Sequence, residues 1–307
     1  MNFFSRTYRI LVQFLCVPIL VSDFFCPRTG HEYGVTFWTK LKLLVKMMGN
    51  NSRILSGSSF IEHIIMATTL LNTPKDIQGC VVECGTYKGV SATNMSLICG
   101  LVGRRFKVFD SFEGLPEPAP QDAAHEVLDI HEVHAYQKGW WAGSLEEVRS
   151  NITRYGNINV CDFYKGFFDT TLPHFNEPCV QIFLDVDYVS SLETCLIHLW
   201  PLLRNGGYLY THEAQHTEIS RLFYSEGWWQ KNLKTEPPGL VGAGTGLGLK
   251  ILTGSHFTSA LGYIVKNPQL SNFQKFDQVG GLKLDFSATG KLTKPGAMFK
   301  GEKNRAN

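Results

Sequence analysis

The sequence lacks a strong excess of charge of either sign, any C-x-x-C pair and any internal repeat. Among its 307 residues, 29 are lysine or arginine and 27 are aspartate or glutamate. The chain therefore offers no global electrostatic attraction for nucleic acid or an anionic membrane. Its eight cysteines are scattered, several within apolar runs, which is typical of buried thiols in a reducing compartment. These absences predict a globular cytoplasmic protein that does not bind nucleic acid.

One apolar segment, residues 10–21, follows a basic start that contains Arg6 and Arg9. Pro18 interrupts it, and it is shorter than the run of about 20 apolar residues that a membrane-spanning helix needs. No small-residue cleavage site of the kind that ends a signal peptide follows it. We expect an internal or surface-docking helix here, with membrane association or export as the alternative.

The rest of the chain divides by its hydrophobic pattern. Apolar residues at helical spacing continue up to the breaker Asn72-Thr73-Pro74. Short apolar runs then alternate with helical stretches, at residues 80–84, 106–109, 158–163, 180–184 and 208–210. Runs without strict polar alternation indicate strands buried on both faces of a parallel sheet. We predict an α/β fold with a doubly wound, mostly parallel, Rossmann-like sheet. Its parts are a helical cap (1–75), a catalytic domain (76–285) and a flexible tail (286–307).

A long excursion rich in proline, histidine and tryptophan interrupts this pattern at residues 114–143. Excursions of this length are more often lids or binding loops than plain connections. Four tryptophans could stack on a sugar or a flat natural product, or pack in the core: Trp140, Trp141, Trp228 and Trp229.

Acidic residues end two of the predicted strands that precede helices. Glu83 comes before the turn at Gly85, where a ligand could approach the backbone and the following helix could receive a carboxylate. Asp110 ends the next strand, where acidic groups commonly bind ribose hydroxyls. An ordinary turn and an acidic cap are the alternative interpretations.

A third strand ends in Asp185, and Asp187 lies two residues later, a pair suited to a divalent metal and a general base. The sequence His212-Glu213-x-x-His216 has the H-E-x-x-H pattern of zinc hydrolases. That chemistry needs both histidines on one helix, whereas the preceding Gly-Gly and aromatic residues predict a strand. A zinc hydrolase is therefore the least favoured interpretation.

Together these segments resemble the macrocin O-methyltransferase (TylF-type) family of class I S-adenosylmethionine-dependent methyltransferases. The similarity extends over about residues 79–228. It is carried by six pieces in order, at residues 82–85, 109–116, 143–148, 166–173, 184–187 and 203–207. The order and spacing of the pieces carry more weight than any one of them.

The resemblance implies roles for individual residues in binding S-adenosylmethionine. Glu83, Gly85 and Tyr87 would border its methionine part, and Asp110 and Ser111 its ribose. Ser144 and Phe168 would lie near the adenine. The remaining residues of the predicted cofactor-binding set are Thr86, Ser91 and Asp185.

The resemblance also implies a magnesium ion held by Asp185 and an acidic pair after the fifth core strand, with Asp187 as the general base. In this chain the pair is His212-Glu213. The predicted ligands are therefore Asp185, His212 and Glu213, holding Mg or Mn. A softer ion or the loss of metal are alternatives, since imidazole suits softer ions. His212 is the rival base, because imidazole titrates near neutral pH.

The sequence as a whole predicts an enzyme, an S-adenosylmethionine-dependent O-methyltransferase. Its expected acceptor is a hydroxyl on a sugar or natural product, either a small molecule or a glycan. A homo-oligomer is the expected assembly. The alternative from another class is a non-catalytic small-molecule-binding protein that retains the fold, because fold alone does not establish activity. Turnover would separate the two.

Overall fold

The computed structural model describes residues 18, 21–127, 132–241 and 261–267. Most of the apolar segment 10–21 and all of the tail 286–307 lie outside these ranges. None of the helices in the described ranges is long and apolar enough to cross a membrane.

Within the described ranges, three α-helices of at least four residues precede the sheet: α1 (Ser22–Phe25), α2 (Phe37–Arg53) and α3 (Phe60–Leu71). A capping box starts α3. The hydroxyl of Ser59 accepts from the backbone N–H of Glu62 (3.3 Å), and the Glu62 carboxylate accepts from the Ser59 N–H (2.7 Å). This reciprocal pair satisfies two otherwise unpaired donors and fixes where α3 begins.

Eight strands follow in the described ranges: β1 (Cys80–Cys84), β2 (Phe106–Asp110), β3 (His125–Val127), β4 (Glu132–His134), β5 (Cys161–Lys165), β6 (Cys179–Leu184), β7 (Leu203–Thr211) and β8 (Gly262–Val265). Six of them form one sheet in the order β5-β2-β1-β6-β7-β8. All neighbours in it are parallel except β7 and β8. β3 and β4 form a separate antiparallel pair within the excursion. The predicted mostly parallel sheet is therefore present.

Helices separate these strands: α4 (Val90–Val102), α5 (Leu145–Tyr155), α6 (Phe168–Thr171), α7 (Val189–Leu199), α8 (Thr217–Leu222) and α9 (Glu226–Leu233). The central strands are buried on both faces, and two apolar cores form, one on each side. Val81 of β1 belongs to the core that includes α2 and α3, whereas Val82 belongs to the core that includes α7 and α8. The described cap helices thus share a core with the sheet.

Two sequence expectations need correction. The segment Ile158–Val160 is a 3-10 turn, and β5 begins only at Cys161, because the Asn157 side chain accepts from the Asn159 N–H and holds a turn there. β7 begins at Leu203 rather than at Tyr208, since Leu203 pairs with Cys179. Of the two interpretations left open for the tryptophans, core packing holds for Trp229, which is buried against Trp200, and Trp228 packs beside it.

Candidate active site

The carboxyl ends of β1, β2, β6 and β7 meet at one edge of the sheet, where they border a cavity of about 490 Å³. Ligands of open α/β sheets bind at this edge because the strand–helix turns leave a crevice there. Ten of the predicted site residues line the cavity: Gly85, Thr86, Tyr87, Asp110, Ser111, Phe168, Asp185, Asp187, His212 and Glu213. Glu83, Ser91 and Ser144 are not among its lining residues.

Glu83 lies beneath the turn that follows β1 and is fully buried. Its Oε1 accepts hydrogen bonds from the hydroxyls of Thr86 (3.0 Å) and Ser91 (2.6 Å). Its Oε2 is buried and finds no hydrogen-bond partner among the described residues. Burial raises the pKa of Glu83 to about 8. Glu83 and Ser91 therefore support the turn from below.

Asp110 faces the cavity from the end of β2. Its two oxygens accept from the backbone N–H groups of Thr86 and Phe112, each at 2.6 Å. Burial raises the pKa of Asp110 to about 6 in spite of these hydrogen bonds. The carboxylate thus joins the ends of β1 and β2 and presents a fixed acceptor to the cavity.

Gly85 lines the cavity, and it has a structural role besides the predicted approach of a ligand, which stays a prediction. Its φ is +83°, and a Cβ there would lie 1.7 Å from the carbonyl oxygen of Asp185. Glycine is required because β1 and β6 approach each other closely at their ends, where the Asp185 N–H donates to the Cys84 carbonyl (2.9 Å). The close neighbour that excludes a side chain is protein backbone.

Ser144 caps α5, where its hydroxyl accepts from the Glu147 N–H (3.1 Å). Phe168, the other predicted adenine neighbour, does line the cavity. The adenine role of Ser144 stays a prediction.

A cluster of carboxylates around one imidazole forms the other half of the cavity. Nδ1 of His212 lies 3.4 Å from Oδ1 of Asp185. The Asp187 N–H donates to Oε1 of Glu213 (3.3 Å), and the hydroxyl of Thr211 donates to its Oε2 (3.0 Å). Potential ligand atoms of Asp185, His212 and Glu213 all lie within 4.8 Å of one another.

The charges of this cluster are strongly coupled. Burial alone lowers the pKa of His212, but the Asp185 and Glu62 carboxylates outweigh it and hold that pKa well above its usual value. Burial alone raises the pKa of Asp185, and the His212 charge reverses this and leaves it below its usual value. Burial, followed by the charges of Asp185 and Asp187, raises the pKa of Glu213 well above normal. The cluster thus holds more carboxylates than its one imidazole can balance.

Asp187 adopts the left-handed region at φ +59°, which is uncommon for a residue with a side chain. Burial and the charge of Asp185 raise its pKa to about 7. Such backbone strain and such a pKa both concentrate at functional sites. A carboxylate that titrates near neutral pH is suited to accept a proton in a reaction.

The H-E-x-x-H pattern does not form a zinc-hydrolase site. His212 directly follows the end of β7, whereas His216 is the residue before α8. The two histidines therefore do not share a helix, and the zinc-hydrolase interpretation is wrong. His216 instead stacks on His125, at 5.4 Å between ring centroids.

The described parts of the excursion, residues 114–127 and 132–143, contribute to the lining of the cavity. The Leu115 N–H donates to the Trp140 carbonyl and the Gly139 N–H donates to the Leu115 carbonyl, both at 2.9 Å, which closes its base. The Ser190 hydroxyl donates to the Asp122 carboxylate and anchors the excursion to α7. The first two bonds close the excursion on itself, and the third ties it to the rest of the domain.

Sequence reasoning missed several cavity residues and one neighbour. Tyr136, Gln215 and His216 line the cavity although they were not among the predicted site residues. Trp141 also lines it, as the stacking alternative of the sequence analysis allows. Glu62, from the cap, places its Oε2 3.5 Å from Nε2 of His212. The S-x-x-E spacing from Ser59 to Glu62 signals the start of a helix, yet it carries no information about this contact.

Comparison with known proteins fits this architecture. The family profile described as Macrocin-O-methyltransferase (TylF) matches residues 52–236. An enzyme of Streptomyces olivaceus, 8-demethyl-8-(2,3-dimethoxy-alpha-L-rhamnosyl)-tetracenomycin-C 4'-O-methyltransferase, is 34% identical over 139 residues. That match covers 43% of this chain and 52% of the enzyme, so the chain spans about half the length of this curated relative.

Among solved structures, the O-methyltransferase NovP aligns with a TM-score of 0.50 at 19% identity, covering 72% of this chain and 88% of NovP. The calicheamicin methyltransferase CalS11 aligns with a TM-score of 0.46 at 15% identity, covering 74% and 92%. The likeness to NovP is one of fold, and it confirms the predicted α/β class. Because the family match covers more than half of the chain, this protein belongs to the macrocin-O-methyltransferase (TylF) family.

Proposed function

We propose that the protein transfers a methyl group from S-adenosylmethionine to a hydroxyl of a sugar or a sugar-bearing natural product. One observation carries the proposal. The same cavity is bordered by the turn residues Gly85 and Asp110 and by the cluster around Asp185 and His212, with Asp187 beside it. A methyl donor and a deprotonated acceptor must meet in this way, because the donor is already activated and catalysis consists largely of alignment.

The residues present fit S-adenosylmethionine. Asp110 offers a fixed carboxylate at the end of β2, where acidic groups bind ribose. The Oε2 of Glu83 is buried beneath the turn and unpartnered among the described residues, and a cationic ligand bound above it would lower the raised pKa of this carboxyl and favour its charged form. When bound, the cofactor supplies a methyl group on a positively charged sulfur.

The cluster also fits a divalent cation. Asp185 and Glu213 supply oxygens and His212 supplies a nitrogen, and their excess negative charge is the condition that a bound cation relieves. The imidazole favours manganese or iron over magnesium, since magnesium prefers oxygen ligands. An ion held by these residues would lower the pKa of a nearby acceptor hydroxyl.

Asp187 would act as the general base. The acceptor hydroxyl gives its proton to the Asp187 carboxylate as its oxygen bonds to the methyl carbon, and the bond from that carbon to sulfur breaks. A base with a pKa near 7 is available at neutral pH without being strongly basic. His212 is engaged by carboxylates on both ring nitrogens, which makes it the weaker candidate for the base.

A sugar acceptor is supported by further residues that line the cavity. Tyr136, Gln215 and His216 offer polar atoms there, and Trp141 offers an aromatic face. Amphipathic rings together with a few placed polar groups are typical of small-molecule sites. The name of the Streptomyces olivaceus relative describes methylation on a rhamnosyl group, which points to the same class of acceptor.

The test combines binding with turnover. We expect calorimetry to detect S-adenosylmethionine and its demethylated product, and an extract incubated with isotopically labelled cofactor to yield labelled products by mass spectrometry. A chelator should stop turnover, and manganese or iron should restore it better than magnesium. Binding without any labelled product would favour a non-catalytic binding protein. No binding of either ligand would overturn the proposal.

A further inference from the structure

The carboxylate of Glu62, from the cap, lies beside the ring nitrogen of His212 that does not contact Asp185. Nδ1 of His212 is directed to Asp185 at 3.4 Å, and Nε2 is directed to Oε2 of Glu62 at 3.5 Å. Glu62 belongs to α3, which precedes the sheet, and it is only 3% exposed. The cluster therefore includes one group that lies outside the strand ends.

We infer that Glu62 is a positioning residue: it holds the proton on Nε2 of His212, so that Nδ1 presents its lone pair to a metal shared with Asp185 and Glu213. This inference rests on the metal-assisted form of the proposed function. An imidazole that binds a metal keeps one proton, and the partner of one ring nitrogen decides which nitrogen is free to bind the metal. Carboxylates behind metal-bound histidines orient the ring and increase its basicity.

The surroundings of Glu62 keep its carboxylate in place. Oε2 accepts from the Ser59 N–H at 2.7 Å in the capping box. The next residue, His63, is buried, with its ring nitrogens 2.9 Å from the Ser58 hydroxyl and 2.8 Å from the Asn94 amide nitrogen. The start of α3 is thus fastened to α4, and Glu62 has little freedom to turn away from His212.

The other end of α3 is tied to the sheet. The hydroxyl of Thr69 lies 2.8 Å from the hydroxyl of Tyr210, and it donates to the Gln181 side chain (3.1 Å). Tyr210 is on β7, two residues before His212. These bonds fix the position of α3, which carries Glu62, against β7, which leads into His212. The contact between Glu62 and His212 therefore follows from how the helix packs on the sheet.

Two variants separate this role from the helix cap. In Glu62→Gln the amide can still accept from the Ser59 N–H, since glutamine also completes a capping box, but the negative charge behind His212 is gone. In Ser59→Ala the hydroxyl cap is lost and the carboxylate remains. The first variant should change metal binding, whereas the second should change mainly the melting temperature.

The probe is Co²⁺ alone, added to the full chain and followed by visible absorption and calorimetry. We expect Glu62→Gln to weaken Co²⁺ binding by about 10–100-fold, the usual effect of removing such a partner, and Ser59→Ala to leave it unchanged. Equal affinity in Glu62→Gln and the unmodified protein would overturn the inference and leave the metal-assisted function in place. An equal loss in both variants would also overturn it, because the role would then be structural.

A second measurement does not depend on any variant folding. In protein labelled with ¹⁵N-histidine and loaded with Zn²⁺, the inference requires His212 to be protonated at Nε2 and metal-bound at Nδ1. The opposite tautomer would overturn it. If the unmodified protein bound neither Co²⁺ nor Zn²⁺, this inference and the metal part of the proposed function would both fail. Calorimetry with S-adenosylmethionine would then show independently whether the methyltransferase proposal survives.

Discussion

The two halves of the cavity hold their carboxylates in different ways. On the turn side, Asp110 is held by backbone N–H groups and Glu83 by hydroxyls. On the cluster side, Asp185 and Glu213 have each other and His212 as neighbours, and their protonation states are coupled. Backbone donors keep their polarity at every pH, whereas a cluster of titratable groups changes with each proton or cation it binds. The first half is suited to hold a ligand and the second to respond during a reaction.

The largest effect is expected on the cluster side, from Asp187→Asn. Turnover should fall by about 10²–10⁴-fold, the usual contribution of a general base, while the affinity for S-adenosylmethionine stays nearly unchanged. Labelled-cofactor assays and calorimetry measure the two quantities. Asp76→Asn, which alters an exposed aspartate, is the control. Full activity in Asp187→Asn, together with inactivity of His212→Ala, would transfer the base role to His212.

The next effect concerns Gly85, where the two halves touch. In Gly85→Ala the new Cβ meets the Asp185 carbonyl at a φ of +83°, so the free energy of unfolding should fall by about 3 kcal/mol or more. Gly103→Ala is the matched control. Its φ is +68° with open space around it, and it should lose only about 1–2 kcal/mol. Urea denaturation measures both free energies of unfolding. Equal losses in Gly85→Ala and Gly103→Ala would contradict the clash with the Asp185 backbone.

Another effect, on the turn side, depends on pH. The pKa of Glu83 is about 8 in the folded protein, against an ordinary value of 4.5. Between these values the folded protein keeps a proton that the unfolded chain has released. The free energy of unfolding therefore falls as pH rises through this window, by at most about 1.4 kcal/mol per pH unit from this group. Glu83→Gln has no such proton to lose.

Urea denaturation of both proteins from about pH 5 to about pH 8 tests this dependence. The stability of Glu83→Gln relative to the unmodified protein should increase steadily with pH. A difference that is constant across the range would show that Glu83 titrates alike in the folded and unfolded chains.

The smallest effect is expected in the excursion. Trp141 makes an edge contact with Tyr87 at 5.6 Å between ring centroids, which links the excursion to the turn. Removing such an aromatic pair costs about 0.5–1.5 kcal/mol, so Trp141→Leu should raise KM by about 2–10-fold. Trp140→Leu, at a neighbouring residue that is not among those lining the cavity, should change KM less. Equal increases in KM in the two variants would argue against a role for the contact between Trp141 and Tyr87.

Sequence pattern alone predicted the strands that carry the turn side. β1 is a fully apolar run apart from Glu83, and it begins and ends where the pattern places it. Its neighbour β2 ends in an acidic residue and β6 is followed directly by one, because strand ends at this edge face the crevice. The sequence therefore suffices to assign Tyr87, Asp110 and Asp185 to one site, since parallel strands bring their carboxyl ends together.

Tertiary structure decided the rest. The contact between Glu62 and His212 joins residues 150 positions apart in the chain, and only the packing of α3 on the sheet brings them together. The same holds for Gly85, whose sequence motif suggests a ligand but whose close neighbour is the Asp185 backbone. Local pattern is determined by neighbours in the sequence, and it specifies elements and their ends. The charges around His212 and the close approach of Gly85 to Asp185 depend on which elements pack together, so only the folded chain could determine them.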